Sequence, residues 1–272
     1  ALLKDAAADW PSLLARLEKL RTTVLARDGL VINLTADPAS MNDSKKQLSD
    51  LAGRYPENPP AGAHDKPGPW KPELGERTDE AFAITTQVNY VAAGARLFEP
   101  GEMCPGELTV VARALSLGYL WDNVRVAGGA YGGGCALNPS SGGFAFSSYR
   151  DPNLQATLDI YARTCDALAE ADTSKEALEK AIVGTVGDMD GPLTPDQKGM
   201  RSLRWYLTGT TKEMRQEYRD QVLGTSPEAF AAFAERVRKA KFAAAVFASR
   251  DAIDKANAGR SAPLPVTDIM SE

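Results

Sequence analysis

The stretch from Trp121 to Cys135 concentrates residue types able to act on a peptide. Arg125 and Tyr131 can each donate hydrogen bonds to a peptide carbonyl or to a developing oxyanion. They stand six residues apart, so a regular strand would point both to one face, but about 20 Å from each other. They can serve one bond only if Gly128-Gly129 bends the chain, or if Arg125 lies before the strand begins. The structural alternative is a partly buried ion pair for Arg125 and a core hydroxyl for Tyr131.

Five of the fifteen residues in this stretch are glycine. They do not spell G-x-G-x-x-G, and no Lys-Ser/Thr end follows, so a nucleotide phosphate site is not indicated. Glycine inside a strand pattern marks a bulge or a close backbone approach. That approach could be a peptide added along a strand edge, or a bent hairpin strand packed against a helix.

Other chemistry is thinly supported. His64 is the only histidine, and it lies in the most proline-rich part of the chain. A Ser-His-Asp or Cys-His arrangement would have to run through it. Cys104, Cys135 and Cys165 are too few and too scattered for a disulfide framework or a zinc site with His64. They read as small buried hydrophobes of a reducing compartment, with a redox role for Cys135 as a lesser alternative. Asp188, Asp190 and Asp196 resemble a cation loop only loosely and read as turn formers. Trp205-Tyr206 reads as core.

Composition narrows the field further. The 272 residues carry 31 Lys+Arg and 36 Asp+Glu, a net charge of −5, which argues against nucleic acid as a partner. Hydrophobic residues at 43% are enough for a core. No apolar run approaches the ~20 residues of a membrane span. The first residues lack a basic or Arg/Ser-rich leader pattern. The chain starts at Ala, which suggests a processed form or a piece of something longer.

The elements that must hold these residues follow from periodicity and caps. The spacing predicts a helix from Pro11 to Gly29, a short buried strand over Leu30 to Leu34, and a helix from Asp37-Pro38 to Gly53. A proline-rich excursion occupies 56–76, a surface crossover within the domain or, as the alternative, a flap or arm that contacts a partner. A β-rich run over Ala81 to Val91 and a helix from Gly106 to Leu120 come next. Two strands, Val124 to Ala136 and Gly143 to Tyr149, enclose a turn at Asn138 to Gly142. Tyr149-Arg150-Asp151 closes this hairpin and caps a helix whose inner face is Leu154, Leu158, Tyr161, Cys165 and Leu168. Capping boxes begin at Thr173, Thr194 and Thr210. Phe230, Phe233 and Val237 face inward on a helix opened by Ser226-Pro227. Lys241 to Ser249 is a last strand, and Asp251 to Ala258 a closing helix before a polar, proline-rich tail. Strands in hairpins and helices in runs predict an α+β fold, a largely antiparallel sheet covered by helices, in one domain over 1–272.

The run Arg125-Val126, Gly128-Gly129-Ala130-Tyr131-Gly132, then Ser141-Gly142-Gly143-Phe144 with Phe146, then Ser148-Tyr149-Arg150-Asp151-Pro152-Asn153, resembles the carboxy-terminal part of a pitrilysin-family (inverzincin) zinc metallopeptidase. Similarity continues through Ala181 to Asp188 and Lys198-Gly199 to Arg204 and Tyr206, and more weakly over Val88 to Leu120 and the last strand and helix. The resemblance implies a pitrilysin-like (mitochondrial-processing-peptidase-like) unit, the fourth of four in a longer enzyme that closes a chamber around short unfolded peptides. It implies that Arg125 and Tyr131 contact substrate near the scissile bond, with Gly128 and Gly129 as further substrate-binding positions. Zinc in such enzymes is held by His-x-x-Glu-His plus a distal glutamate of the amino-terminal half. This sequence contains no such motif. The chain is therefore expected to bind no metal itself, to be inert alone, and to need the amino-terminal zinc-binding half as partner. The resemblance further implies degradation of organellar targeting peptides in the mitochondrial matrix or chloroplast stroma. A non-catalytic structural or peptide-binding subunit is the alternative.

Overall fold

The computed structural model describes residues 9–27, 29–57, 79–99 and 102–269. The proline-rich excursion over 56–76 falls mostly within 58–78, outside the described residues, as does His64. The chain groups into two compact units, one of residues 1–74 and 192–210, the other of 75–191 and 211–272.

The regular elements among the described residues of the first unit are helices. Helix Trp10–Val24 opens where Asp9 accepts a hydrogen bond from the Ser12 amide, with proline in the first turn. Leu30, Val31 and Ile32 do not form the expected buried strand and are exposed. The β-branched character of Val31 and Ile32 is not enough, because among the described residues of this unit no strand is there to pair with them. Helix Met41–Ala52 starts later than Asp37-Pro38 predicts. The Asp37 carboxylate instead accepts from the amides of Ala39 and Ser40 and closes a turn ahead of the helix. Arg27 donates to the carbonyls of Ala52 and Gly53 and so satisfies that helix's far end. Helix Pro195–Thr208 carries the expected capping box, the Thr194 amide donating to Gln197. Tyr206, expected in a core, is exposed.

The second unit is built on a mixed sheet of six strands among the described residues: β1 Glu80–Ala83, β2 Asn89–Arg96, β3 Gly132–Asn138, β4 Gly143–Asp151, β5 Ala243–Ala248 and β6 Val266–Asp268. Their spatial order is β3-β4-β2-β5-β1-β6. The β3/β4, β4/β2 and β2/β5 pairs are antiparallel, and β5/β1 and β1/β6 are parallel. The α+β class holds, and the expected β-rich run over Ala81 to Val91 divides into two strands. The polar tail adds a strand, β6, that its proline content conceals.

Alternation sorts the sheet into two faces. Val91, Ala93, Phe144, Phe146 and Val246 point into the core. There Phe144 meets Phe233 edge to face at 5.3 Å, and Phe146 stacks on Tyr161 at 4.8 Å. Each such buried aromatic or aliphatic side chain contributes on the order of 2 kcal/mol. Phe230, Phe233 and Val237 of helix Glu228–Lys239 face inward as their spacing predicts. Helices Lys175–Met189 and Lys212–Leu223 begin one residue later than the predicted boxes, because Ser174 and Thr211 accept the capping hydrogen bonds.

Helix Gly106–Leu115 does not end at Leu120. It widens into a π-helix, Ser116–Ala127, that runs along β3. The buried side chains step five residues from Leu115 to Leu120, then four to Val124, so the wider turn keeps one apolar face on the core. β3 lies so close to it that a Cβ at Gly133 would come 2.6 Å from Val124 Cγ1, and one at Gly134 2.4 Å from Ser116 Oγ. The glycine run is therefore a strand packed against a helix. Gly133→Val should lower stability by about 2 kcal/mol through overpacking. Urea unfolding checks this, and an unchanged midpoint would refute the close packing.

Candidate functional site

Val124 to Ala136 is not one strand. Arg125 sits in the last turn of the π-helix, and extended structure begins only at Gly132. The valines at 124 and 126 suggested a strand, but Leu120 and Val124 are buried with helical spacing, and that packing decides the local conformation. Both features that would shorten the path between Arg125 and Tyr131, a bend at the glycines and an Arg125 that precedes the strand, are present.

The reversal is tightly made. The Gly129 amide donates to the Arg125 carbonyl at 3.0 Å, and the Ala130 amide to the Val124 carbonyl at 3.1 Å. Gly129 has φ of +78°, a conformation open to glycine at little cost. A Cβ on Gly128 would lie 2.6 Å from the Val124 carbonyl oxygen. Asn153 locks the turn from outside, its side-chain amide donating to the Gly128 carbonyl at 2.6 Å. Tyr131 follows immediately, its amide donating to the Arg150 carbonyl. The helix end carrying Arg125 and the strand start carrying Tyr131 are thus adjacent ends of one hydrogen-bonded turn.

Neither side chain takes its structural alternative. Arg125 is exposed and forms no ion pair among the described residues. Its guanidinium lies over the Trp121 ring, 4.2 Å from the centroid, one helical step away. Stacking holds the flat group by its face and leaves its N–H edge available. Tyr131 is 66% exposed, so its hydroxyl is not a core group. Its ring meets Tyr149 edge to face at 5.8 Å. Two hydrogen-bond donors on one rigid turn can bind a backbone carbonyl or stabilise negative charge developing on its oxygen.

Sequence reasoning missed the device beneath them. Asn89 pairs with Asp151 but Val91 with Ser148, so β4 holds one residue more than β2. This β-bulge contains Arg150 at φ +49°, a left-handed conformation uncommon outside glycine. It turns Tyr149 and Arg150 outward in succession. Asp151, fully buried, anchors the bulge. Its carboxylate accepts from the Asn153 amide at 2.8 Å and the Thr157 hydroxyl at 2.7 Å, while its carbonyl accepts from Asn89. The Trp121/Arg125 spacing of four was legible as a helical pair, whereas nothing in the sequence marks the bulge.

The sequence model of the PreP C-terminal domain family matches residues 79–250. The chain is 42% identical to presequence protease 1, chloroplastic/mitochondrial, of Arabidopsis thaliana over 262 residues, 96% of this chain and 24% of that protein. It is 30% identical to the mitochondrial presequence protease of Emericella nidulans over 227 residues, 82% of this chain and 21% of that protein. The chain thus spans about a quarter of the length of these relatives. Among solved structures it is similar in fold to a peptidase M16 inactive domain from Pseudomonas fluorescens, with TM-score 0.53, 12% identity, and coverage of 77% of this chain and 52% of that one. A protease from Helicobacter pylori gives TM-score 0.51 at 15% identity, covering 75% and 52%.

The remaining candidates have structural explanations. Asp188 and Asp190 pair with Arg113 and Arg219 and form no cation loop. No group of three or more His, Cys, Asp or Glu among the described residues could hold a metal ion, so these residues do not fit a zinc site. Among them no helix is long and apolar enough to cross a membrane. The Cys135 thiol donates to the Ala112 carbonyl at 3.2 Å, and burial pushes it up to about 12, against a weaker opposing hydrogen bond with Ser116. A thiol so disfavoured as thiolate is a poor nucleophile and a poor redox sensor. At pH 8 in native conditions Cys135 should resist iodoacetamide and react only after denaturation. Peptide mapping by mass spectrometry reads this directly, and rapid native labelling would restore the redox alternative.

Proposed function

The chain belongs to the PreP C-terminal domain family, and on that premise we propose that it is the carboxy-terminal part of a zinc metalloendopeptidase that degrades targeting peptides and other short unfolded peptides in a closed chamber. Its own contribution is the pair Arg125 and Tyr131. Arg125 binds a backbone carbonyl of the substrate beside the scissile bond. Tyr131 donates its hydroxyl to the carbonyl oxygen as that oxygen gains negative charge. Gly128 and Gly129, the further substrate-binding positions, serve by forming the tight turn that presents the pair. Zinc belongs to the amino-terminal half, the partner of this chain, and would supply Lewis-acid activation of water there. This chain alone is inert as a peptidase. The names of its relatives support the mitochondrial matrix or chloroplast stroma as the compartment.

The observation that carries this reading is that both donors are exposed on one hydrogen-bonded turn, with Arg125 free of any carboxylate among the described residues. A site that must offer donors to an incoming backbone has reason to leave them open.

In enzyme assembled from this chain and its amino-terminal half, Tyr131→Phe should lower kcat on a presequence-like peptide by about 100-fold, the scale of losing one oxyanion donor. Arg125→Ala should cost a comparable factor in kcat/KM. Both variants should melt with the wild type, since neither side chain is buried. Turnover at the wild-type rate in both would sink the assignment.

A further inference from the structure

The sheet face turned away from the helices carries an aromatic row that leads from Tyr131 across the fold. Tyr131 meets Tyr149 at 5.8 Å, and Tyr149 meets Tyr90 at 5.6 Å, both edge to face. Tyr90 is register partner to Phe247, and Phe247 to Phe82, whose rings stack at 4.9 Å. The row thus passes from the start of β3 over β4, β2 and β5 to β1. Phe247 is 40% exposed and Tyr149 44%. The next row on the same face is Ser147, Ala92 and Ala245, so the rings stand above a floor of small side chains. Cross-strand aromatic pairs add modestly to the stability of a sheet, but five aromatic residues in line on the open side make a continuous apolar patch, the mark of a binding surface.

We propose that this row is a subsite for large apolar side chains, aromatic ones above all, of the extended peptide whose scissile bond lies at Tyr131. This rests on the assignment of Arg125 and Tyr131 given above. Two observations fix the occupant. The row is continuous with Tyr131, so a backbone held there is led onto it. Arg150 holds its guanidinium over Tyr131 and Tyr149, at 5.9 and 5.4 Å from the ring centroids, so a cationic side chain entering beside it meets like charge. An apolar side chain meets ring faces and edges, the arrangement aromatic pairs prefer. Four strand spacings separate β3 from β1, roughly 19 Å, and an extended peptide covers that in about six residues. The Phe82–Phe247 pair therefore reads a residue about four to six positions from the scissile bond.

The test uses the assembled enzyme and peptides that differ at one position, four to six residues from the cleaved bond on either flank, carrying Phe, Ala or Lys. Wild type should favour Phe over Ala by about tenfold in kcat/KM on one flank, the scale of a hydrophobic pocket's discrimination, and should disfavour Lys. Phe247→Ala should collapse the ratio towards one, through KM rather than kcat. Phe247→Leu, which keeps bulk, should retain part of it and guards against a folding defect. Ratios near one in wild type on both flanks, or an unchanged ratio in Phe247→Ala, overturn the subsite. A tenfold preference that depends on Phe247 while Tyr131→Phe turns over normally would instead sustain the subsite and overturn the role of Tyr131.

Discussion

The close contact between the π-helix Ser116–Ala127 and the glycine edge of β3 is the constraint on which the site depends. A strand bearing side chains at 133 and 134 would stand off from the helix. The carbonyls of Val124 and Arg125 would then be out of reach of the amides of Ala130 and Gly129, and the turn would open. The π conformation belongs to the same arrangement, because its wider turn keeps Leu120 and Val124 in the core while Trp121 and Arg125 stay outside. One helix face thus does two jobs. It anchors the fold on its inner side and presents a stacked arginine on its outer side.

The bulge in β4 is the second fixed point. A regular strand would send Tyr149 and Arg150 to opposite faces. The extra residue sends both outward and costs Arg150 a left-handed backbone, a strain of order 1 kcal/mol. Around it a chain of polar groups is engaged: Asp151 holds Asn153 and Thr157, Asn153 holds Gly128, and Asn89 holds the Asp151 carbonyl. This buried network joins the bulge to the glycine turn, so Tyr131, Tyr149 and Arg150 are set by one rigid body of hydrogen bonds and not by loops. Displacing any of them would leave buried donors or acceptors unpaired, which is far more costly than the strain retained.

Most of the sheet and its helices were legible because their side chains alternate or recur with clear period: Phe144 and Phe146 on β4, and Phe230, Phe233 and Val237 on the helix above. The errors have specific causes. Leu30 to Leu34 have strand composition, but composition cannot supply a pairing partner. Val124 and Val126 have strand character inside a helix because the packing of Leu120 and Val124 outweighs local propensity. β6 hides in a proline-rich tail, since its three residues are defined by pairing with β1 and by little else. The pair Arg125 and Tyr131 was visible as residue types and as a resemblance, yet its geometry was not. Whether two residues six apart are distant or adjacent depended on Gly129 adopting a positive φ, which no periodicity encodes. The bulge left no trace at all, because register is a property of two strands and the sequence shows each alone.

On the function proposed above, the arrangement would let such a unit shape a reaction whose bond-cleaving residues lie elsewhere. Donors on a turn locked by backbone hydrogen bonds need little reorganisation when charge appears, which is the condition under which they lower a barrier most. Metal and water chemistry requires a cluster of ligands, and building one here would need acidic or imidazole groups on a face that is aromatic and small. Those groups would compete for the Arg125 guanidinium, whose proposed role needs it free of any carboxylate. In the enzyme proposed above, ligands kept on a separate half would remove that competition. It would leave this sheet an exposed, ringed surface beside an arginine stacked only on Trp121.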